Sequence, residues 1–272
     1  MLLDTRIKWK NRLRVSSRIA VIVLLIAFLL LQFFCVAGVV KGVSDSAPSL
    51  SKLDLLAKGT GAVIYDEGGN ELQTLSTSSE QKEYVKLDKI PACVQYAFVA
   101  AVDSRFYEHK GVDLSAIFQE FVDDLSEKDQ VKSTSTITQQ LLRNQVIWKG
   151  NGSSVYEKIT RKIQEQYLAV QLEQKLDKEQ ILEYYLNTIN LGQNAIGVQN
   201  ASMRYFNKDI SQLSISEAAV LAGTQQNPTD DNPITNPENN SEQRKKVLKA
   251  MLDQNYISEE DYEDALGDDV YT

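Results

Sequence analysis

Residues 100–111 read AAVDSRFYEHKG and hold the single histidine of the chain, His109, beside Glu108 and close to Asp103, Arg105, Phe106 and Tyr107. Carboxylates near an imidazole are the side chains of general acid/base chemistry. Yet the residue directly before Asp103 is Val102, which can neither accept nor give a proton. The same residue types also suit a structural histidine with two solvated acids, and spacing alone leaves both readings open. A second stretch, STSTITQQLLRNQ at 133–145, sets a run of hydroxyl residues ahead of Gln140 and Arg143. Hydroxyls and amides hydrogen-bond sugar oxygens, and a guanidinium matches phosphate. A polar capped loop has the same composition. In a third stretch, KITRKIQE at 158–165, Arg161 and Glu165 lie one helical turn apart with Lys158 on their face. A solvated helix face with an ion pair explains that spacing, although the acid-first order is the better stabilised one.

The elements that would position these groups are mainly helical. Ser154 with Glu157 and Ser214 with Glu217 have capping-box spacing, as does Asp177 with Gln180. Ile159, Ile163, Tyr167 and Val170 predict a buried helix stripe. Residues 181–208 alternate small and apolar residues, the pattern of tight helix packing. Ile257 to Leu266 reads as a last short helix, and NPITNPENNSEQ as the most linker-like internal stretch. Before Pro91, Val63 to Tyr65, a DEGGN turn and Leu72 to Leu75 predict a strand hairpin.

Residues 19–40 carry no charge over 22 positions, enough helix to span a bilayer of about 30 Å. Residues 1–18 carry +5, which places them on the cytoplasmic side and leaves −13 for the rest of a chain whose total is −8. So acidic an external part excludes nucleic acid as a partner. The expected order is a basic tail at 1–18, a single transmembrane helix at 19–40, a polar stalk at 41–59, a domain at 60–267, and a short end at 268–272 that a further domain can follow. Cys35 falls in the expected membrane span and Cys93 outside it, which predicts no disulfide, and no Cys/His metal-ligand spacing occurs. SLSK at 49–52 has Ser-x-x-Lys spacing but lies in the stalk without companion motifs.

In order along the chain, AAVDSRFYEHKGVD, STSTITQQLLRN, RKIQE, ILEYYLNTINLGQNAIGVQNAS and LSISEAAVLAGTQQNP resemble the family 51 glycosyltransferases. These are the peptidoglycan transglycosylase domains of class A penicillin-binding proteins and their monofunctional relatives. The likeness runs from about residue 60 to 267. It implies a lysozyme-like, two-lobed, mainly α domain with a small N-terminal β hairpin, on a single-pass anchor in a bacterial cell membrane. It further implies polymerisation of lipid II into glycan strands, with inversion and release of polyprenyl pyrophosphate. By the same resemblance Thr136, Gln140, Arg143, Arg161 and Lys162 bind the donor's pyrophosphate and sugar. Glu165 assists near the pyrophosphate, Asp103 belongs to the catalytic motif, and Phe106 and His109 are its structural members. The family carries a glutamate, the presumed base, where this chain has Val102, and losing a general base typically costs about 10² to 10⁴ in rate. It usually has Lys where Arg143 stands, and a GG pair where Ser133 and Thr134 stand. Two function classes follow: a glycosyltransferase impaired at Val102, or a pseudoenzyme that binds lipid II or glycan as a scaffold. A lytic muramidase fits less well, because glycoside hydrolysis needs a carboxylic acid at the leaving group. Expected partners are lipid II, the growing glycan strand, membrane lipid and other cell-wall synthesis or division proteins. No cofactor is required. A divalent cation, Mg or Mn, at the substrate pyrophosphate would offset its charge, but no ligand cluster demands one.

Overall fold

The computed structural model describes residues 37–48, 50, 62–65, 71–75, 83–125, 135–145 and 154–271. The expected transmembrane helix lies outside these residues except for 37–40, which open a helical run to residue 45, α1. Most of the expected stalk, and Ser133 and Thr134, also lie outside them. No helix among the described residues is long and apolar enough to cross a membrane.

The chain divides into two compact units. One comprises Met1–Ala47 and Gly152–Gln164, the other Pro48–Asn151 and Glu165–Thr272. In the first, Ser154 opens helix α5 (Val155–Leu172) with the expected capping box. Its Oγ accepts from Glu157 N at 3.1 Å, and Glu157 Oε2 accepts from Ser154 N at 3.3 Å. Gln164 Nε2 donates to Val43 O at 3.3 Å and to Ser46 Oγ at 2.9 Å, which ties α5 to the end of α1.

The second unit contains strands β1 (Ala62–Tyr65) and β2 (Glu71–Leu75), antiparallel with Ala62 opposite Leu75. Its other long elements among the described residues are helices: α2 (Ala92–Val102), α3 (Leu114–Leu125), α4 (Ile137–Gln145), the end of α5, α6 (Lys178–Thr188), α7 (Val198–Phe206), α8 (Ile215–Thr224), α9 (Pro237–Asp253) and α10 (Glu259–Gly267). Helix α8 is its centre. Every residue from Ser216 to Thr224 is buried, and Ala218, Ala219, Ala222 and Gly223 are small enough for α2 and α9 to pack closely on it. The capping boxes expected at Asp177 and Ser214 are both formed.

Two expectations are corrected. The stretch 232–243 is no linker: from Pro237 it is the start of α9, with Pro in the first helical turn where its missing N–H costs nothing. Asn240 in it is fully buried. In α5 the buried residues are Glu165, Leu168, Ala169 and Leu172, while Ile159, Tyr167 and Val170 are exposed. The sequence pattern hid this face because its first member is a charged residue.

Candidate active site

Helix α2 ends at Val102, which is half-buried, and Asp103 caps it with its N–H on Val99 O at 2.9 Å. The Asp103 carboxylate turns to two other elements. His109 Nε2 lies 3.0 Å from each oxygen, and the N–H of Ile137, the first residue of α4, donates to Oδ2 at 3.0 Å. Gly111 N–H donates to His109 Nδ1 at 3.2 Å. That bond makes Nδ1 the acceptor, so the network assigns the imidazole hydrogen to Nε2, aimed at Asp103. Gly111 has φ +90°, and a Cβ there would fall 2.6 Å from the Ala169 carbonyl group. Only glycine lets this loop lie so close on the backbone of α5.

Thr136 precedes α4 and is 2% exposed. Its hydroxyl donates to Gly111 O at 2.7 Å and accepts from Gln139 N at 3.2 Å, while Gln139 Oε1 accepts from Thr136 N at 3.3 Å. Thr136 and Gln139 thus form a capping box, and it is pinned to the histidine loop. A further buried group ties the same elements. Glu173 accepts from Thr138 Oγ1 at 2.5 Å and pairs with Lys178 at 2.7 Å, whose ammonium lies 4.4 Å from the centre of the buried Phe106 ring.

Along α4, Gln140 and Arg143 follow Thr136 at steps of four and three, one helix face. Gln140 Oε1 accepts from Gln225 Nε2 at 2.5 Å and from Tyr185 Oη at 3.3 Å. Tyr185 is fully buried. Burial pushes its hydroxyl far above the usual range, the nearby Asp103 charge adds to this, and Arg143 opposes it. Tyr185 therefore stays protonated and serves as a donor. Arg143 Nε lies 3.5 Å from Glu165 Oε2; the guanidinium side chain is 42% exposed and the carboxylate side chain 4%. A half-exposed guanidinium backed by a buried carboxylate, with amides beside it, is suited to bind an oxyanion such as phosphate. Among the described residues no cluster of three or more His, Cys, Asp or Glu forms a metal site.

Residues 68–252, more than half of the chain, match the model of the family described as Transglycosylase. The chain belongs to the transglycosylase family. It is 38% identical over 272 residues to penicillin-binding protein 1A of Clostridium tetani, covering 96% of this chain and 33% of the relative. It is also 38% identical over 246 residues to penicillin-binding protein 1A/1B of Bacillus subtilis, covering 88% of this chain and 26% of the relative. The chain thus spans about a third of the length of such curated relatives. The crystal structure of penicillin-binding protein 1A from Haemophilus influenzae aligns over 78% of this chain and 21% of that one, at 24% identity and a TM-score of 0.42; a likeness that loose carries no argument.

In the second unit lie seven of the residues singled out from the sequence: Asp103, Phe106, His109, Thr136, Gln140, Arg143 and Glu165. Arg161 and Lys162, both half-buried, belong to the first unit. Glu165 is not on a solvated helix face; it is buried and pairs with Arg143. Thr136, expected to hold the donor, has its hydroxyl committed to a cap and to Gly111. Sequence reading missed Gln139, Glu173, Tyr185 and Gln225. Only Gln139 had a local signal, the T-x-x-Q spacing from Thr136.

Proposed function

We propose that this chain is a membrane-anchored peptidoglycan glycosyltransferase that binds lipid II and extends glycan strands slowly, because position 102 lacks a base. The observation that carries this reading is the half-exposed Arg143, paired with buried Glu165 and following Gln140 on one face of α4, in a chain of the transglycosylase family. Arg143 would hold the donor's pyrophosphate, with Glu165 fixing the guanidinium and Gln140 meeting the sugar. Arg161 and Lys162 are assigned to the same diphosphate on the strength of the motif alone. In the reaction an acceptor hydroxyl oxygen bonds to the anomeric carbon from the face opposite the leaving group. The bond from that carbon to the pyrophosphate oxygen breaks, and the electron pair leaves with polyprenyl pyrophosphate. The hydroxyl proton needs a base, and Val102 offers none. Mg or Mn, where it takes part, would arrive with the diphosphate. The uncharged span 19–40 behind a basic tail supports a cytoplasmic N-terminus and an external site, next to membrane lipid and other cell-wall proteins.

A second reading, an inactive lipid II or glycan binder, is favoured by one observation. Asp103 is no substitute base, since it is 3% exposed and both its oxygens already accept hydrogen bonds. The test is to incubate the purified chain and its Val102→Glu variant with fluorescent lipid II in detergent and to resolve polymer on a gel. Slow polymer from the natural chain, raised about 10² to 10⁴-fold by Val102→Glu, supports the glycosyltransferase. Binding without polymer in the natural chain supports the binder. Failure of both forms to bind lipid II defeats both readings.

A further inference from the structure

The chain beyond α10 folds back on α9. Arg244, 5% exposed, donates from Nη1 to Ser216 Oγ at 2.6 Å and to Asp268 O at 3.0 Å, and from Nη2 to Leu266 O at 3.2 Å. Its guanidinium lies 5.6 Å from the centre of the Tyr271 ring. The Tyr271 hydroxyl donates to Asn240 Oδ1 at 2.7 Å. Asn240 Nδ2 in turn donates to Thr224 Oγ1 at 3.0 Å and to Asp231 O at 2.7 Å, with Val220 O at 3.3 Å. Thr224 and Asp231 bracket residues 225–230. One buried amide thus holds both ends of that loop, while Asn236 and Asn239 tie its last two residues from the surface, at Thr229 O and Asp230 O. The first residue of the loop is Gln225, the 2.5 Å partner of Gln140.

We propose that Tyr271 and Asn240 are positioning residues for the substrate site: the phenol holds the Asn240 carbonyl, which keeps the amide N–H groups on the loop and Gln225 on Gln140. This rests on the reading of Gln140 as a lipid II contact. The physical reason is the asymmetry of a primary amide. With its oxygen held by a donor, only the NH2 end can face Thr224 and Asp231, both acceptors there. Without the phenol the buried amide oxygen loses its donor, the hold on the amide weakens, and both loop anchors loosen together.

Tyr271→Phe tests this, because it keeps the ring over Arg244 and deletes only the hydroxyl. Hydrogen exchange of the full chain in detergent is expected to speed up about five- to tenfold in residues 225–236, and not in α2 or α6. The dissociation constant for fluorescent lipid II is expected to rise about three- to tenfold. Unchanged exchange in 225–236, or faster exchange throughout α2 and α6, overturns the clamp. Faster local exchange with unchanged lipid II affinity overturns its link to the site. If the natural chain binds no lipid II, the proposed function fails and the exchange measurement alone decides the clamp.

Discussion

Asp103→Asn is the sharpest test of the brace at the head of the site. The carboxylate accepts from two donors, His109 Nε2–H and Ile137 N–H, each at 3.0 Å, in a place where the aspartate side chain is 3% exposed. Asparagine has one acceptor oxygen and one donor NH2. Whichever way it turns, one N–H of the pair faces another N–H. The change therefore removes one charge-assisted bond, worth about 1.5–3 kcal/mol, and leaves a buried donor unmet, worth about 1–3 kcal/mol. Water cannot repair this at such burial. Since the two parts overlap, a total of about 3–4 kcal/mol is expected, and at roughly 2–4 °C per kcal/mol for a domain of this size the melting midpoint should fall by about 10 °C. Circular dichroism melting at pH 7 reads it. A fall of less than about 3 °C with lost lipid II binding would refute the brace and make Asp103 a substrate group.

Four further outcomes follow from the geometry. Gly111→Ala combines a left-handed φ with a Cβ 2.6 Å from the Ala169 carbonyl group, so a loss of about 3 kcal/mol or more is expected in denaturant unfolding. Arg143→Ala should weaken lipid II binding about tenfold or more in a fluorescence titration, and, because it strips the buried Glu165 carboxylate of this cation, should also lower stability by about 1–3 kcal/mol. At Asp113, burial pushes the carboxyl up, but the Arg105 guanidinium and the Ala116 N–H pull it further down, so its acidity is net increased. Its contribution is therefore present above the ordinary carboxylate range and lost as pH falls below about 4. The gap in melting temperature between the natural chain and Asp113→Asn should close over that window. Val102→Glu should cost no more than about 1 kcal/mol in thermal unfolding, since residue 102 is half-buried and meets mainly the unfavourable C-terminal end of the α2 dipole.

What was legible in the sequence was local. The capping boxes at Ser154, Asp177 and Ser214 depend on residues three apart, so spacing alone shows them. The box of Thr136 and Gln139 has the same spacing but sits in a hydroxyl-rich run, where a capped loop and a set of ligand donors have the same composition. The α5 stripe failed because apolar periodicity cannot see that Glu165 is buried against Arg143. The PENNSEQ stretch looked like a linker because its value lies in three acceptors on other elements, Val220 O, Thr224 Oγ1 and Asp231 O, which meet Asn240 only in the fold. Tyr185 and Gln225 are silent in sequence for the same reason. Each acts through Gln140, 45 and 85 positions away respectively.

The network around Asp103 does not depend on the side chain at 102. The links that seat the histidine loop on α4 and α5 come from Asp103, His109, Gly111, Thr136 and Gln139, and none uses the side chain at 102. Chemistry and scaffold are therefore separable here. On the proposed function the base would belong to the end of α2, whereas the groups suited to an anion, Arg143 and Glu165, belong to α4 and α5 and pair with each other. On the proposed function, such a chain would lose proton transfer and still bind a diphosphate, because the hydrogen bonds that order the site form before any substrate enters.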